Sequence, residues 1–194
     1  EADEPKGKPK EPRLNGRLEP LKRALEGEAA VVATVERADE ILACVDAFEA
    51  VGIRPILIGA GDAGKVADRI AGRVAGVLLD SKIVSDGVAE DRGYRLTNRY
   101  AALQAAGIPV AFRSESEGGA AELALRAAYA VAYGMSPTGA LKALTSDAAR
   151  MFAIDDEVGL LAPGLSADLL LLDGQPLELS TSIERVWVAG KELR

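Results

Sequence analysis

A glycine-rich segment at residues 59–65 (GAGDAGK) carries the clearest ligand-binding pattern in this sequence. Gly59, Gly61 and Gly64 fit the spacing G-x-G-x-x-G, in which the backbone of a loop approaches a pyrophosphate at a helix N-terminus. Asp80 ends the next predicted strand, where an acid could bind a ribose, but it follows Gly64 by 16 residues rather than about 20. Nucleotide binding is therefore one hypothesis, and tight packing of a strand against its following helix is the other.

The sequence contains no histidine. This absence removes the commonest transition-metal ligand and the commonest general base at neutral pH. It also excludes every catalytic pair in which a histidine activates a serine or a cysteine. Carboxylates, lysines, tyrosines and backbone amides remain for any chemistry that the chain performs.

Composition and charge narrow the class of protein further. Hydrophobic residues make up 48% and charged residues 27% of the 194, which is typical of a globular chain. The net charge of −7 and the scattered basic residues argue against a nucleic-acid partner. No apolar run approaches the roughly 20 residues that span a bilayer, so no membrane association is expected. The lone cysteine, Cys44, excludes an internal disulfide and lies on an apolar helical stripe, which predicts a core position.

The first 154 residues divide into an arm and a series of strand–helix units. Residues 1–18 are charged and proline-rich and predict a linker or arm, and residues 19–25 predict a short helix that ends before Gly27. Apolar runs that predict strands alternate with helical patterns, at 30–35, 54–58, 74–79 and 109–112. Because these runs are continuously apolar rather than alternating, we expect parallel strands connected by helices. Two further helices are predicted, at 119–133 and from Ser136–Pro137 onward.

The last forty residues change character. Runs rich in leucine, isoleucine and valine predict strands at 158–161, 168–172 and 183–189, with a tight turn at Ala189–Gly190. We therefore expect three parts: an arm (1–18), an α/β part (19–154) and a C-terminal β segment (155–194).

Three segments carry a resemblance to a known family. They are AYGMSPTGALKALTSDAARMFAI (132–154), DEVGLLAPGLSADLLLLDGQPLE (156–178) and IERVWVAGKEL (183–193). Together they resemble the C-terminal end of the amidohydrolase superfamily, specifically its imidazolonepropionase-like members. Upstream, VERADEI (35–41), GKVAD (64–68) and AGIPVAFRSES (106–116) resemble the segments at the fifth, sixth and eighth barrel strands. The charged arm is similar to a linker that precedes the fifth strand.

This resemblance implies a TIM-type (β/α)₈ barrel with a small β-sandwich domain, and metal-assisted hydrolysis of C–N bonds in cyclic or linear amides. The family's metal-ligating histidines after strands five and six fall on Thr34 and Gly59, and its aspartate at strand eight falls on Glu115. A hydroxyl, a hydrogen and one carboxylate cannot replace the three or four donors that zinc requires. We therefore expect no metal in this chain, although intact family members hold a divalent metal. Arg113 could bind an anion at the strand ends, but a salt bridge with Glu115 is the favoured interpretation.

The sequence thus predicts an α/β fold, the C-terminal half of a TIM-type barrel with C-terminal β-sandwich strands. Four strands cannot close a barrel. We expect a partner for the sheet: a missing N-terminal half, a homologous amidohydrolase subunit or a second copy. The favoured function is that of a catalytically degenerate amidohydrolase with a structural or regulatory role. The alternatives are an active hydrolase completed by another half and a nucleotide-binding α/β module that uses Gly59–Gly64, with Gly61 and Gly64 as binding residues.

Overall fold

A four-stranded parallel sheet forms the centre of the protein. The computed structural model describes residues 15–79, 84–85, 97–114 and 122–193. The strands are β1 (Val32–Val35), β2 (Ile56–Gly59), β3 (Gly76–Leu79), β4 (Val84–Ser85), β5 (Thr97–Asn98), β6 (Val110–Phe112), β7 (Leu169–Leu172), β8 (Ile183–Val188) and β9 (Lys191–Glu192). In the main sheet the order is β1-β2-β3-β6 and all neighbours are parallel, whereas β4 and β5 form a separate antiparallel pair. The predicted parallel arrangement is confirmed.

The strands are shorter at their amino ends than the apolar runs suggest. β2 begins directly after Pro55 and β6 directly after Pro109. Proline has no N–H group to donate to a neighbouring strand, so regular strand pairing tends to begin after it. Apolar residues nevertheless precede these strands, Pro55 before β2 and Ile108 with Pro109 before β6, which is why hydrophobicity extended the predictions.

Helices follow the strands as the alternation predicted. They are α1 (Glu19–Leu25), α2 (Ala38–Glu49), α3 (Ala67–Ile70), α4 (Arg99–Ala105), α5 (Leu123–Ala132), α6 (Pro137–Leu144) and α7 (Ser146–Met151), with a 3₁₀ turn at Ala63–Lys65. The α1 prediction is confirmed, with Gly27 in the left-handed conformation after its end. Ser136 caps α6, because its Oγ accepts a hydrogen bond from the Gly139 N–H at 3.0 Å. No helix among the described residues is long and apolar enough to cross a membrane.

The two faces of the parallel sheet are covered differently. Residues of α2 to α6 bury one face in a single hydrophobic cluster that includes Leu57, Val77 and Val110. The opposite, inner face carries Ile56, Leu78 and Ala111, which pack with Met151 of α7. Gly76 permits this packing, because a Cβ there would lie 2.6 Å from the Met151 sulfur. The helix side is therefore the larger core, and α7 covers part of the inner face.

An arginine ties α2 to the segment that precedes β3. The Nη2 atom of Arg73 lies 2.5 Å from both Asp46 Oδ1 and Glu49 Oε2, and its Nε donates to Glu49 Oε2 at 3.1 Å. These hydrogen bonds raise the pKa of Arg73, the bond to Glu49 most of all. The guanidinium thus lies beside the C-terminal turn of α2, a helix with no basic residue of its own in that turn.

The C-terminal segment forms a three-stranded antiparallel sheet in the order β7-β8-β9. Ala189 and Gly190 have φ angles of 49° and 77° between β8 and β9, which confirms the predicted tight turn. Asp168 stabilises this turn: its Oδ1 accepts the Ala189 N–H at 2.7 Å and its Oδ2 accepts the Ser166 hydroxyl at 2.9 Å. The hairpin is therefore anchored to the residue that precedes β7.

The strand predicted at 158–161 is wrong. Val158 donates its N–H back to the Ile154 carbonyl at 3.0 Å, in a local turn rather than to a neighbouring strand. Gly159 follows with φ +99°, which interrupts extended backbone, and Leu161 is 85% exposed. A Cβ at Gly159 would lie 2.7 Å from Ala149 Cβ and 3.2 Å from Ser146 Cα. The glycine is required here for close contact with α7.

Gly159 and Gly164 make a matched pair for testing this contact. Both have positive φ, but nothing lies within 4 Å of a Cβ at Gly164. Gly164→Ala should therefore cost only backbone strain, about 1–2 kcal/mol, and Gly159→Ala should cost about 1–3 kcal/mol more through overpacking. Urea unfolding measures both values. Equal destabilisation by the two substitutions would contradict the contact of Gly159 with α7.

Asp168 should make the stability of the C-terminal hairpin depend on pH. The hydrogen bond from the Ala189 N–H, and then that from Ser166, lowers the pKa of Asp168. A lowered pKa stabilises the folded state above the unfolded carboxyl pKa of about 3.9, and this stabilisation is lost as pH falls through the lower folded value. Hydrogen exchange at the Ala189 amide should be faster in Asp168→Asn than in the parent at pH 6. A difference that stays constant as falling pH protonates the Asp168 carboxyl of the folded chain would contradict the role of the charge.

Candidate functional site

The carboxyl ends of the parallel strands are where ligands bind in α/β folds, and most of the predicted site residues lie there. Thr34 is paired with Ile58, and Ile58 with Leu78, so Thr34 belongs to the row that includes the inner-face residue Leu78. Gly59 is paired with Val35, whose side chain packs against the helix-side core. Thr34 and Gly59 therefore lie on adjacent strands but in different rows. Glu115 lies outside the described residues.

The glycine-rich loop after β2 is bonded to the end of β1. The Ala60 N–H donates to the Val35 carbonyl at 2.6 Å, and the Asp62 N–H donates to the Glu36 carbonyl at 3.0 Å. Gly59 and Ala60 both have positive φ, at 80° and 45°. These bonds hold the loop against the neighbouring strand end, as the packing hypothesis for the G-x-G-x-x-G segment expects.

The carboxylate of Glu36 occupies the space that Gly59 and Gly61 leave. A Cβ at Gly59 would lie 2.9 Å from Glu36 Oε2, and a Cβ at Gly61 would overlap Glu36 Oε1. Gly64 instead faces α4, where its Cβ would lie 3.5 Å from the Cβ of Ala102. In a nucleotide-binding loop, glycines leave space for a phosphate close to the backbone. Here a carboxylate of the chain itself fills that space, which favours the packing hypothesis over nucleotide binding.

Glu36 and Arg99 are the site residues that the sequence analysis missed. Arg99, at the start of α4, is 3% exposed, and its Nη1 lies 3.5 Å from the Gly59 carbonyl oxygen and 3.6 Å from where a Gly61 Cβ would lie. Glu36 could have been found, because it follows Thr34 by two residues and strand side chains alternate between faces. Arg99 had no such signal, since only the folded chain brings the start of α4 to the end of β2.

The nearby charged residues form local pairs. Lys65 Nζ lies 2.5 Å from Asp62 Oδ1, while Asp62 Oδ2 accepts the Ala38 N–H at 3.3 Å. Arg37 donates through Nε and Nη2 to Asp39 at 3.0 and 3.2 Å. The hydrogen bond from Arg37 lowers the pKa of Asp39. The cations on both loops thus already have carboxylate partners.

Arg113 lies at the end of β6, as predicted, and is held through its backbone. Its N–H donates to the Leu79 carbonyl at 3.2 Å, and its carbonyl accepts from Arg126 Nη1 at 3.1 Å. Arg126 is itself paired with Glu122 at 3.2 Å. The predicted pair of Arg113 with Glu115 cannot be placed, because Glu115 lies outside the described residues.

The described strand ends do not fit the metal site that the family resemblance implies. Thr34 offers a hydroxyl and Gly59 offers no side-chain donor. Among the described residues, no three histidine, cysteine, aspartate or glutamate side chains are grouped so as to hold a metal ion. Cys44 packs against the core on α2, and burial raises the pKa of its thiol, as expected of a core residue.

Comparison with known proteins identifies the fold and the family. The solved structure of an amidohydrolase from Thermotoga maritima MSB8 superposes with a TM-score of 0.76 at 23% identity, over 89% of this chain and 45% of that one. A. niger ochratoxinase superposes with a TM-score of 0.63 at 22% identity, over 88% of this chain and 43% of that one. At these identities the likeness concerns the fold alone, and this chain spans less than half of either structure.

Sequence similarity to known proteins covers part of the chain. Adenine deaminase 2 from Jannaschia sp. (strain CCS1) is 42% identical over 62 residues, which are 32% of this chain and 10% of the deaminase. The profile of the amidohydrolase family matches residues 73–193, from the segment before β3 to the end of the described chain. With well over half of its residues in that match and the fold in agreement, this chain belongs to the amidohydrolase family.

Proposed function

We propose that this chain is the C-terminal half of an amidohydrolase-type (β/α)₈ barrel of the imidazolonepropionase-like kind that no longer builds a hydrolytic metal centre. Its role is then structural or regulatory within a completed barrel. The observation that carries the proposal is the pair of family ligand positions at the strand ends, which hold Thr34 and Gly59. Without a bound metal there is no Lewis acid and no acidified water at this place.

The sheet topology supports a half-barrel. The strand order follows the chain without the reversal that a doubly wound sheet has, and α2 to α6 pack on one face. Within the described residues, β1 and β6 each have a neighbour on one side only. β1 (VATV) contains neither proline nor charge, the usual protections of an edge strand, and Val32 is 43% exposed. Such an edge is suited to pairing with another parallel strand.

A complementary amidohydrolase half suits these surfaces better than a second copy does. Two copies related by a two-fold axis along the barrel could pair β6 with β1 of the partner and reach eight strands. The β7-β8-β9 sheet has an aliphatic face formed by Leu170, Val186 and Val188, and Leu170 and Val188 are 59% and 49% exposed. A second copy would bring the same exposed face again and no different strands to cover it. A single non-identical half can both close the barrel and cover this aliphatic face.

Metal analysis tests the loss of the hydrolytic centre. The chain, purified with its complementary half where the two occur together, should carry well below one zinc, manganese or iron ion per barrel after dialysis, because tight binding needs three or four donors. Elemental analysis measures the content, with an intact metal-dependent amidohydrolase prepared in parallel as the control. Near-stoichiometric metal with hydrolysis of an amide would instead support the alternative, an active hydrolase whose ligands come from the other half.

The oligomeric state of the isolated chain tests the choice of partner. Light scattering should find no discrete dimer of twice 20.2 kDa, because self-pairing leaves the aliphatic face exposed. Val32→Lys places a charge on the β1 edge. Because no dimer is expected in the parent, this substitution should leave the measured mass unchanged. A discrete dimer that Val32→Lys converts to monomer, while Val188→Lys on the C-terminal sheet does not, would establish the second copy as the partner.

A further inference from the structure

We propose that Glu36 forms a recognition site for an organic cation, a protonated amine or a guanidinium group, at the carboxyl end of β1. The proposal concerns a ligand rather than hydrolysis or barrel closure, so it does not depend on the function proposed above. It starts from the position of the Glu36 side chain, which is exposed and whose carboxylate oxygens lie close to Gly59 and Gly61.

Backbone contacts hold Glu36 in place before any ligand arrives. Its N–H donates to Glu40 Oε2 at 3.2 Å, and its carbonyl accepts the Asp62 N–H at 3.0 Å. A Cβ at Gly59 or at Gly61 would contact a carboxylate oxygen of the Glu36 side chain. The backbone of Glu36 is thus fixed where β1 meets the glycine-rich loop, which limits the conformational freedom that the residue loses on binding a partner.

The Glu36 carboxylate has no ion-pair or hydrogen-bond partner in the described part of the chain. The two cations nearest to it along the loops are bound elsewhere, Arg37 by Asp39 and Lys65 by Asp62. Arg99 also lies near Gly61, but its Nη1 donates to the Gly59 carbonyl at 3.5 Å. The exposed carboxylate is thus available to an incoming cation.

The chemistry of the surroundings selects an organic cation over a metal ion or an anion. One carboxylate and the nearby Thr34 hydroxyl provide too few ligands for zinc, whereas an ammonium or guanidinium group needs only hydrogen-bond acceptors. A phosphate would meet the negative Glu36 carboxylate in the glycine cradle and be repelled. Because the site is open and the positive Arg99 is near, we expect weak binding, with a Kd of about 1–10 mM.

Amide chemical shifts of the full chain provide the test. Guanidinium and methylammonium ions, added at low ionic strength, should shift the backbone amides of Glu36, Ala60 and Gly61 saturably. Glu36→Gln, which keeps the size of the side chain, should weaken binding at least about tenfold, to a Kd above 10 mM. Glu184→Gln, at an exposed carboxylate on β8, is the matched control and should leave the Kd unchanged.

A second variant tests the geometry. Gly61→Ala should also weaken binding, because the new methyl group displaces the Glu36 carboxylate while φ at this position needs no glycine. The proposal is overturned if Glu36→Gln binds either cation as tightly as the parent, or if no saturable shift occurs up to about 50 mM. It is equally overturned if zinc ions or pyrophosphate, and not the organic cations, saturate the same amides.

Discussion

A parallel sheet needs cover on both faces and protection along both edges, and this requirement shapes the whole molecule. The helices α2 to α6 satisfy it on one face of the sheet, and α7 does so on part of the other through Met151. Along the edges the described chain supplies no further strand beside β1 or β6. The same requirement thus explains the large helix-side core and motivates the proposed complementary half.

The sequence predicted the elements better than their ends. Continuous apolar runs identified four parallel strands because burial on both faces leaves little room for polar residues. Pro55 and Pro109 were visible but were included in the strands, although they cannot donate to a ladder. The run at 158–161 was misassigned because its apolar residues flank Gly159, whose conformation is set by contact with α7. Hydrophobicity reports burial, whereas strand pairing depends on the neighbouring backbone.

The candidate site was predicted only in part for a similar reason. Thr34, Gly59 and Arg113 were placed at strand ends by the resemblance and lie there in the structure. The contact of Glu36 with Gly59 and Gly61 depends on the register of β1 with β2 and on positive φ angles in the loop. These features arise between segments some twenty residues apart, so no local pattern reveals them. The glycine spacing alone could not distinguish a loop that binds a phosphate from a loop whose free space is filled by a carboxylate of the same chain.

The contact of Arg73 with α2 has a consequence for cooperativity. Asp46 and Glu49 place negative charge at the C-terminal end of the helix, where the partial negative charge of the helix dipole disfavours it. Arg73, which comes after β2 and α3 along the chain, offsets this unfavourable arrangement through tertiary contact. Helix α2 therefore gains its full stability only when the following crossover is in place. The first strand–helix unit and the second are thus coupled by this contact as well as by their shared hydrophobic cluster, although each looks independent when the sequence is read from end to end.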